Sequence, residues 1–295
     1  MRVTESGIAS NFLSSINRTR ERINQEQSQL ASGKRVLKVS DDPQAADAIL
    51  RLKSIVDANE QYQKNTTEAQ SQVETTEAAL SSFSDIMVNL KEVMARASNG
   101  SQTENLNTYA VQIDQLLAGA VDIANTKLNG RYIFGGTNTL DPPFTLSGNH
   151  SSVTVNPNGI TGTIQYPVSE GVNQVVNIDG QEAFQGSTIF DLMIQVRDNL
   201  QAGLNPTVAE SLSADSYLDL VLTKTSKAGS ILQNLVNNES MLADQRNQLL
   251  QLLSVQQDTD VAEVVTKLKL DELMLDAALN TGARIIPKSL LDFLR

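Results

Sequence analysis

Apolar residues recur every seven positions near both ends of this 295-residue chain, and this repeat constrains its fold more than any other feature. Such spacing places side chains along one narrow line of an α-helix, a seam that a partner helix must cover. The sequence therefore predicts terminal helices that pack against partners in the same chain or in another copy. The residues of the two repeats are Ile16, Ile23, Leu30 and Leu37, and Val261, Leu268 and Leu275.

A longer heptad pattern runs from Ala45 to Ala97 and predicts a helix of about 80 Å, at about 1.5 Å per residue. Ile55 is one of its apolar positions, whereas Asn59 and Thr66 bring polar side chains into the same seam. A polar residue at such a position can fix the register of two helices, and it can also be a tolerated exception. The sequence leaves both explanations open.

A second helical arm follows at residues 187–254, where Leu235, Leu242 and Leu249 are again seven apart. Between the arms, residues 140–186 are rich in Gly, Asn, Pro and β-branched residues, which indicates short strands and turns. Two long arms separated by such a segment most simply form an antiparallel bundle. The predicted fold class is therefore mainly α with a β-rich insertion.

These zones predict three domains. A terminal-helix domain combines residues 1–40 with 255–295, and we expect it to be disordered in the isolated chain because its apolar seams need partners. A helical bundle combines residues 41–139 with 187–254. A small outer β domain comprises residues 140–186.

Two polar groups separate the first helix from the second, namely Ser32-Gly33-Lys34-Arg35 and Ser40-Asp41-Asp42-Pro43. The first group predicts a bend or a mobile hinge. The second predicts a helix start, because Asp42 can accept hydrogen bonds from exposed amides and Pro43 suits the first helical position. A helix boundary therefore falls between these groups.

Two further boundaries follow from local sequence. Asn129-Gly130 is typical of a left-handed helix end, so we expect a helix to stop there. Asp260 and Glu263 have the spacing of a capping box, which predicts the start of the last helix.

Composition argues against catalysis and against several classes of partner. There is no Cys and the single His150 lies in a Ser/Gly/Asn-rich stretch, so Cys–His and Ser–His–Asp arrangements lack parts or context. The acidic pairs, such as Asp41 and Asp42, are explained by helix capping. A net charge of −11 and the lack of any run of 18 apolar residues argue against nucleic acid and membrane. We therefore expect no enzymatic activity, no cofactor and no metal site.

The last residues of the chain are unusually apolar, although chain ends are ordinarily exposed. We include them with the two terminal repeats as candidate axial packing residues. The first residues lack the apolar core of a secretory signal, so we expect a protein that is cytoplasmic or leaves without a cleaved signal. The apolar residues of the tail are Leu290, Leu291, Phe293 and Leu294.

Several stretches resemble the bacterial flagellins and their relatives. Residues 30–36 with Ser40-Asp41-Asp42-Pro43 resemble the N-terminal signature of that family. Residues 129–139 are more similar to the hook-associated proteins of the hook–filament junction, the FlgL type, than to filament flagellin. The family-motif residues of this stretch are Gly130, Tyr132, Phe134, Gly136 and Thr137.

The resemblance implies an inner layer of paired terminal helices, a helical bundle next to it and an outer β-rich domain. It also implies an extracellular flagellar location, reached by type III export without a cleaved signal peptide. The implied partners are the hook-associated protein 1 type of junction protein, flagellin, other copies of the chain and a flagellar export chaperone. The function it implies is a torque-transmitting adaptor.

Two alternatives stay open at this stage. A filament flagellin would share the architecture but would polymerise without limit. A helical signalling or scaffold module, or an enzyme with an unrecognised site, would explain the heptads but not the motif stretches.

Overall fold

The computed structural model describes residues 5–99 and 106–285, which form seven helices and six short strands. This is a mainly helical fold with a β-rich insertion, as the sequence predicts. The helices are α1 (Glu5–Ser32), α2 (Pro43–Asn99), α3 (Leu106–Ala124), α4 (Gly180–Phe184), α5 (Thr188–Gln201), α6 (Val208–Gln257) and α7 (Val261–Ile285). The strands are β1 (Lys127–Leu128), β2 (Arg131–Tyr132), β3 (Phe144–Leu146), β4 (Val153–Val155), β5 (Gln165–Ser169) and β6 (Val172–Val175).

The chain divides into two compact units, whose boundaries fall inside α2 and α6. The terminal unit combines Met1–Ala58 with Gln245–Arg295, and the central unit is Asn59–Asp244. The finer division into three domains stays a prediction.

In the central unit, α2 and α6 run antiparallel, as the heptads predict. Lys91 forms an ion pair with Asp215, while Asn238 Nδ2 donates to Thr66 Oγ1 over 3.2 Å. As the residue number increases along α2, the number of its partner on α6 decreases, so the two helices are antiparallel. The apolar seam residues buried on α2 are Ala69, Val73, Leu80, Phe83, Met87, Leu90, Met94 and Ala97, and those on α6 are Ala214, Val221, Ala228, Leu235 and Leu242.

The heptad prediction is wrong at the start of α2. Ile55 is 50% exposed, whereas the neighbouring Val56 is 7% exposed. Ala46, Ile49 and Val56 are buried one position after the predicted repeat, although Ala45 is buried on it. A continuous seven-residue repeat cannot describe both parts, because the spacing of buried residues contracts between them.

The strands share one hydrophobic core with the helices of the central unit. They form three antiparallel pairs, β1 with β2, β3 with β4, and β5 with β6. Five of the seven phenylalanines lie in this core, with Phe184 at the centre of the group. Its ring centroid is 4.7 Å from that of Phe83 and 4.9 Å from that of Phe134. The full group is Phe83, Phe134, Phe144, Phe184 and Phe190.

A buried arginine joins α3 and α5 to the loop between β3 and β4. Arg197 is 5% exposed, and its Nη1 donates to Asp114 Oδ1 over 2.9 Å and to the His150 carbonyl over 2.6 Å. Asp198 pairs with the same guanidinium. Burial opposes ionisation of Asp114, but hydrogen bonds from His150 and Arg197 outweigh it and lower the pKa of Asp114. The single histidine thus belongs to a structural polar network.

Asn129-Gly130 does not end a helix, contrary to the sequence prediction. Helix α3 ends at Ala124, and the two residues form the turn between β1 and β2. Both have positive φ, 51° at Asn129 and 79° at Gly130. The same left-handed preference serves a helix end and a two-residue hairpin turn, so the dipeptide alone cannot distinguish them.

Candidate assembly site

The terminal unit is built on the packing of α1 against α7. Ile16 and Ile23 are buried on α1, and Leu30 is half-buried. On α7, Leu268 and Leu275 are half-buried. The heptad residues near the two ends of the sequence therefore lie on facing helices of one chain, which agrees with the predicted pairing.

The contact stripe of α7 follows its apolar repeat only in part. Val261 stands at the first position of the helix and is 56% exposed, whereas Val264 is 6% exposed. Asp271 lies in the same stripe and is 7% exposed. Val261 therefore does not pack against α1 within the chain, because it lies at the helix start, and its role in axial packing between subunits stays a prediction.

A charged pair crosses this contact. Arg22 Nε donates to Asp271 Oδ2 over 2.8 Å, and Arg22 Nη2 donates to Oδ1 over 3.0 Å. This two-pronged hydrogen bond lowers the pKa of Asp271 and raises that of Arg22. Bidentate arginine–carboxylate pairs are directional as well as strong. The pair therefore constrains the geometry of the two helices.

Glu26 lies in the α1 stripe between Ile23 and Leu30. Its Oε2 is buried with no hydrogen-bond partner among the described residues. Burial and the nearby Asp271 raise the pKa of Glu26, although Arg22 and Lys267 oppose this effect. Compared with water, this site therefore favours the protonated form of Glu26 over its carboxylate.

The two helix breaks of the terminal unit pair with each other. Lys34 and Asp258 form an antiparallel β-bridge, in which Arg35 N donates to the Gln257 carbonyl over 2.7 Å. Gly33 ends α1 with φ of +68°, a conformation that glycine adopts without strain. The predicted bend at residues 32–35 is therefore held by backbone hydrogen bonds.

The predicted capping of α2 by Asp42 is confirmed. Asp42 Oδ1 accepts a hydrogen bond from Ala45 N over 3.0 Å, and Pro43 occupies the first helical position. The amide of Ala45 and the guanidinium of Arg35 lower the pKa of Asp42. Asp41 Oδ2 accepts from the amides of residues 37 and 38 and so orders the preceding turn, in which Ser40 is exposed.

The seven-residue repeat suggested that Leu37 continues the seam of the first helix, but it does not. Helix α1 ends at Ser32, and Leu37 is 41% exposed. Val36 is buried instead and packs with Ala45 and Ile49. The seven-residue spacing persists in the sequence across a break in the helix, so it no longer corresponds to one face.

The last helix carries a second apolar face. Leu270, Leu273 and Met274 are 54%, 67% and 49% exposed, and they lie on a side of α7 away from the stripe that contacts α1. Ala277 continues this face. Exposed apolar surface of this kind is typical of an interaction site. The predicted packing residues Leu290, Leu291, Phe293 and Leu294 lie outside the described residues.

At the start of α7, Asp260 Oδ1 accepts from the amides of Ala262 and Glu263, which confirms the predicted cap. The side chain of Glu263 pairs with Lys267 rather than completing a capping box.

The motif at residues 130–137 lies in the central unit and has a packing role. Phe134 joins the phenylalanine group, and the half-buried Tyr132 lies beside Lys127, whose Nζ is 4.4 Å from the ring centroid. Gly136 has φ of +61°, and Thr137 N donates to the Thr161 carbonyl over 3.2 Å. The motif therefore joins two backbone segments of the core.

Asparagine side chains complete this junction and were not found from the sequence. Asn125 accepts from Phe144 N over 3.1 Å and donates to the Phe144 carbonyl over 2.8 Å. Asn177 bridges Ile164 N and the Gly162 carbonyl in the same way. An asparagine near a turn is common, and its partner is distant in sequence, so no local signal marks these two.

Among residues 5–99 and 106–285, no cluster of three or more His, Cys, Asp or Glu side chains could hold a metal ion. Within the same residues, no helix has both the length and the apolar character needed to cross a membrane.

Comparisons with known proteins agree with the predicted resemblance. Residues 3–139 match the family model for the bacterial flagellin N-terminal helical region. Over 244 residues the chain is 28% identical to flagellar hook-associated protein 3 of Escherichia coli (strain K12), covering 78% of this chain and 75% of that protein. The N-terminal part of the chain is therefore similar to the bacterial flagellins. It is also 33% identical over 118 residues to flagellar hook-associated protein 3 of Salmonella typhimurium, covering 39% of this chain and 37% of that protein.

Solved structures of FlgL proteins share the fold of this chain. The FlgL structure of Bacillus cereus aligns with a TM-score of 0.60 at 22% identity, covering 69% of this chain and 99% of that one. The flagellar junction protein FlgL of Legionella pneumophila aligns with a TM-score of 0.56 at 17% identity, covering 73% of this chain and all of that one.

Proposed function

We propose that this chain is a structural subunit of the bacterial flagellum at the hook–filament junction. The observation that carries the proposal is the alignment with hook-associated protein 3 of Escherichia coli, which spans most of both chains. The second apolar face of α7 supports it, because a helix that pairs with α1 and still exposes Leu270 and Leu273 has surface for a neighbouring subunit. A subunit of this kind needs no catalytic site.

The proposed neighbours are further copies of the chain, a hook-associated protein 1 type subunit on the hook side and flagellin on the filament side. Contacts between unlike surfaces of successive subunits generate a helical lattice rather than a closed dimer. In such a lattice, α1 and α7 would carry the axial contacts, and the chain would transmit torque between its neighbours. Export through the flagellar apparatus, with an export chaperone and without a cleaved signal, completes the proposal.

Filament flagellin is the less supported alternative. The flagellin N-terminal region would be common to both kinds of subunit, whereas the two relatives named above are hook-associated proteins. Growth distinguishes the two functions. When purified chain is added to flagellar fragments, assembly should stop after a short segment. Unlimited filament growth would favour flagellin.

The assembly surface can be tested with two substitutions on α7. When the Leu273→Asp chain is supplied to a strain that lacks the gene, it should be absent from isolated hook–filament preparations, because the substitution places a carboxylate on the exposed apolar face. Lys269→Ala is the matched control, since Lys269 is exposed on the same helix and its loss adds no charge to that face. Cryo-microscopy with labelled chain measures incorporation, and normal incorporation of Leu273→Asp would contradict the proposed surface.

A further inference from the structure

The apolar seams of α1 and α7 do not by themselves define one alignment of the two helices. Ile16, Ile23 and Leu30 are seven apart on α1, and Leu268 and Leu275 are seven apart on α7. Sliding one helix along the other by seven residues therefore replaces apolar contacts with similar apolar contacts. Repeats of this kind often rely on a polar or unusually shaped position to select the register.

Two contacts between α1 and α7 have no equivalent seven residues further along the helices. Arg22 and Asp271 form the two-pronged pair described above, with Asp271 only 7% exposed. Near the other end, Gly282 lies under the ring of Phe12, so closely that an added Cβ would be 2.4 Å from the ring carbons. The first contact is a charge match, and the second is a large side chain over a residue without one.

A shift of seven residues would destroy both contacts. Asp271 would face Ser15 or Gln29, depending on the direction, and neither carries a charge. In the direction that brings Ser15 to Asp271, Phe12 would meet Leu275 instead of Gly282. A buried carboxylate without its arginine is costly, and Phe12 would have to turn away from Leu275. The native register avoids both.

We propose that Arg22 with Asp271, supported by Phe12 with Gly282, select the register in which α1 pairs with α7. The apolar seam supplies affinity for any helix with a matching repeat. These four residues, together with the backbone bridge between Lys34 and Asp258, restrict it to one alignment. They therefore also restrict which other helix could replace α7 beside α1. The inference rests on the contacts of the terminal unit and holds whether or not the chain functions at the hook–filament junction.

Engineered disulfides can report the register, because the chain has no cysteine of its own. The two observed contacts place Thr19 opposite Leu275 in the native register and opposite Leu268 after a shift of seven. These two α7 positions are about 10 Å apart along the helix, and a disulfide requires Cα atoms within about 7 Å. Thr19→Cys with Leu275→Cys thus reports the native register, and Thr19→Cys with Leu268→Cys reports the shifted one.

The decisive comparison uses a variant that keeps the helices paired. Arg22→Leu with Asp271→Leu removes the ion pair, in which Asp271 is buried and Arg22 is half exposed, and leaves two apolar side chains at the same positions. In the parent, oxidation of the full-length chain should give at least about tenfold more native than shifted disulfide, as expected for a charged hydrogen-bonded pair. In the double-leucine variant the excess of native over shifted disulfide should fall severalfold, while helicity measured by circular dichroism is kept. Phe12 with Gly282 and the bridge between Lys34 and Asp258 still oppose the shift.

The control removes an exposed ion pair from the same helix. Lys269→Ala with Glu272→Ala should leave the ratio of the two disulfides unchanged, since these two residues pair with each other and not with α1. Peptide mass spectrometry quantifies the disulfides. Equal yields in the parent, or an unchanged ratio in the double-leucine variant, would overturn the proposal. A purely stabilising role would lower both yields together and leave their ratio as it was.

Discussion

Replacing Gly136 by alanine tests how tightly the motif at residues 130–137 joins two backbone segments. A Cβ at Gly136 would lie 2.3 Å from the Thr161 carbonyl oxygen and 2.4 Å from its carbon. Because these are backbone atoms, the clash cannot be relieved by turning a side chain. Gly130 offers a matched comparison, since it also has positive φ but an added Cβ there meets nothing within 4 Å.

The magnitude follows from two separate costs. Alanine in the left-handed conformation costs about 1–2 kcal/mol, and both variants carry this cost. At Gly136 the two segments must also separate by about 1 Å, which breaks the hydrogen bonds that Thr137 N and Oγ1 donate to the Thr161 carbonyl. Each such bond contributes about 1 kcal/mol. We therefore expect Gly136→Ala to cost about 2 kcal/mol more than Gly130→Ala.

Urea unfolding of the full-length chain, followed by circular dichroism, measures this difference. The dependence of the free energy of unfolding on urea should be the same in both variants, so that the midpoints can be compared directly. A difference below about 0.5 kcal/mol would refute the reasoning, because it would mean that the segment at Thr161 moves away without loss.

Three further perturbations have defined outcomes. Glu26→Gln should stabilise the helix pair at pH 7 by about 0.5–1 kcal/mol, seen as slower hydrogen exchange in α1. Because the pKa of Glu26 is raised, the parent should approach the variant as the pH falls through that pKa, and an unchanged difference would contradict this account. Asp114→Ala should lower the free energy of unfolding in urea by about 2 kcal/mol, since the buried Arg197 keeps only one carboxylate partner. The control Asp122→Ala, on the exposed side of α3, should cost less than about 0.5 kcal/mol. Equal losses in the two variants would speak against the network. Phe184→Ala should cost about 4 kcal/mol by the same measurement, and a loss under 2 would show that the ring group collapses into the space.

Much of the helical architecture could be predicted because its signals are local. The heptads of α2 and α6 identify the buried faces in the central unit, and Asp42 and Asp260 cap the helices that they precede. Capping involves residues two to four positions apart, and the heptad reflects the geometry of a single helix. Both can therefore be read without knowledge of the remaining chain.

The candidate assembly site could be predicted only in part. Ile16 and Ile23 are buried as expected, but Leu37 is outside the helix and Val261 is exposed. The buried Asp271 was missed, because an acidic residue in a helix is ordinarily assigned to the solvent face. Its burial depends on Arg22, which is 249 positions away in the sequence.

By itself, the sequence determined which segments are helical, which faces of α2 and α6 are apolar in the central unit, and where α2 and α7 start. The tertiary structure alone decided the register of α1 on α7, the bridge between Lys34 and Asp258, and the fit of Gly136 against Thr161. The physical reason is that a repeat of seven specifies a face but not an alignment. Hydrogen bonds and close backbone contacts between distant residues exist only once the chain has folded, so they select among alignments that the repeat leaves equivalent.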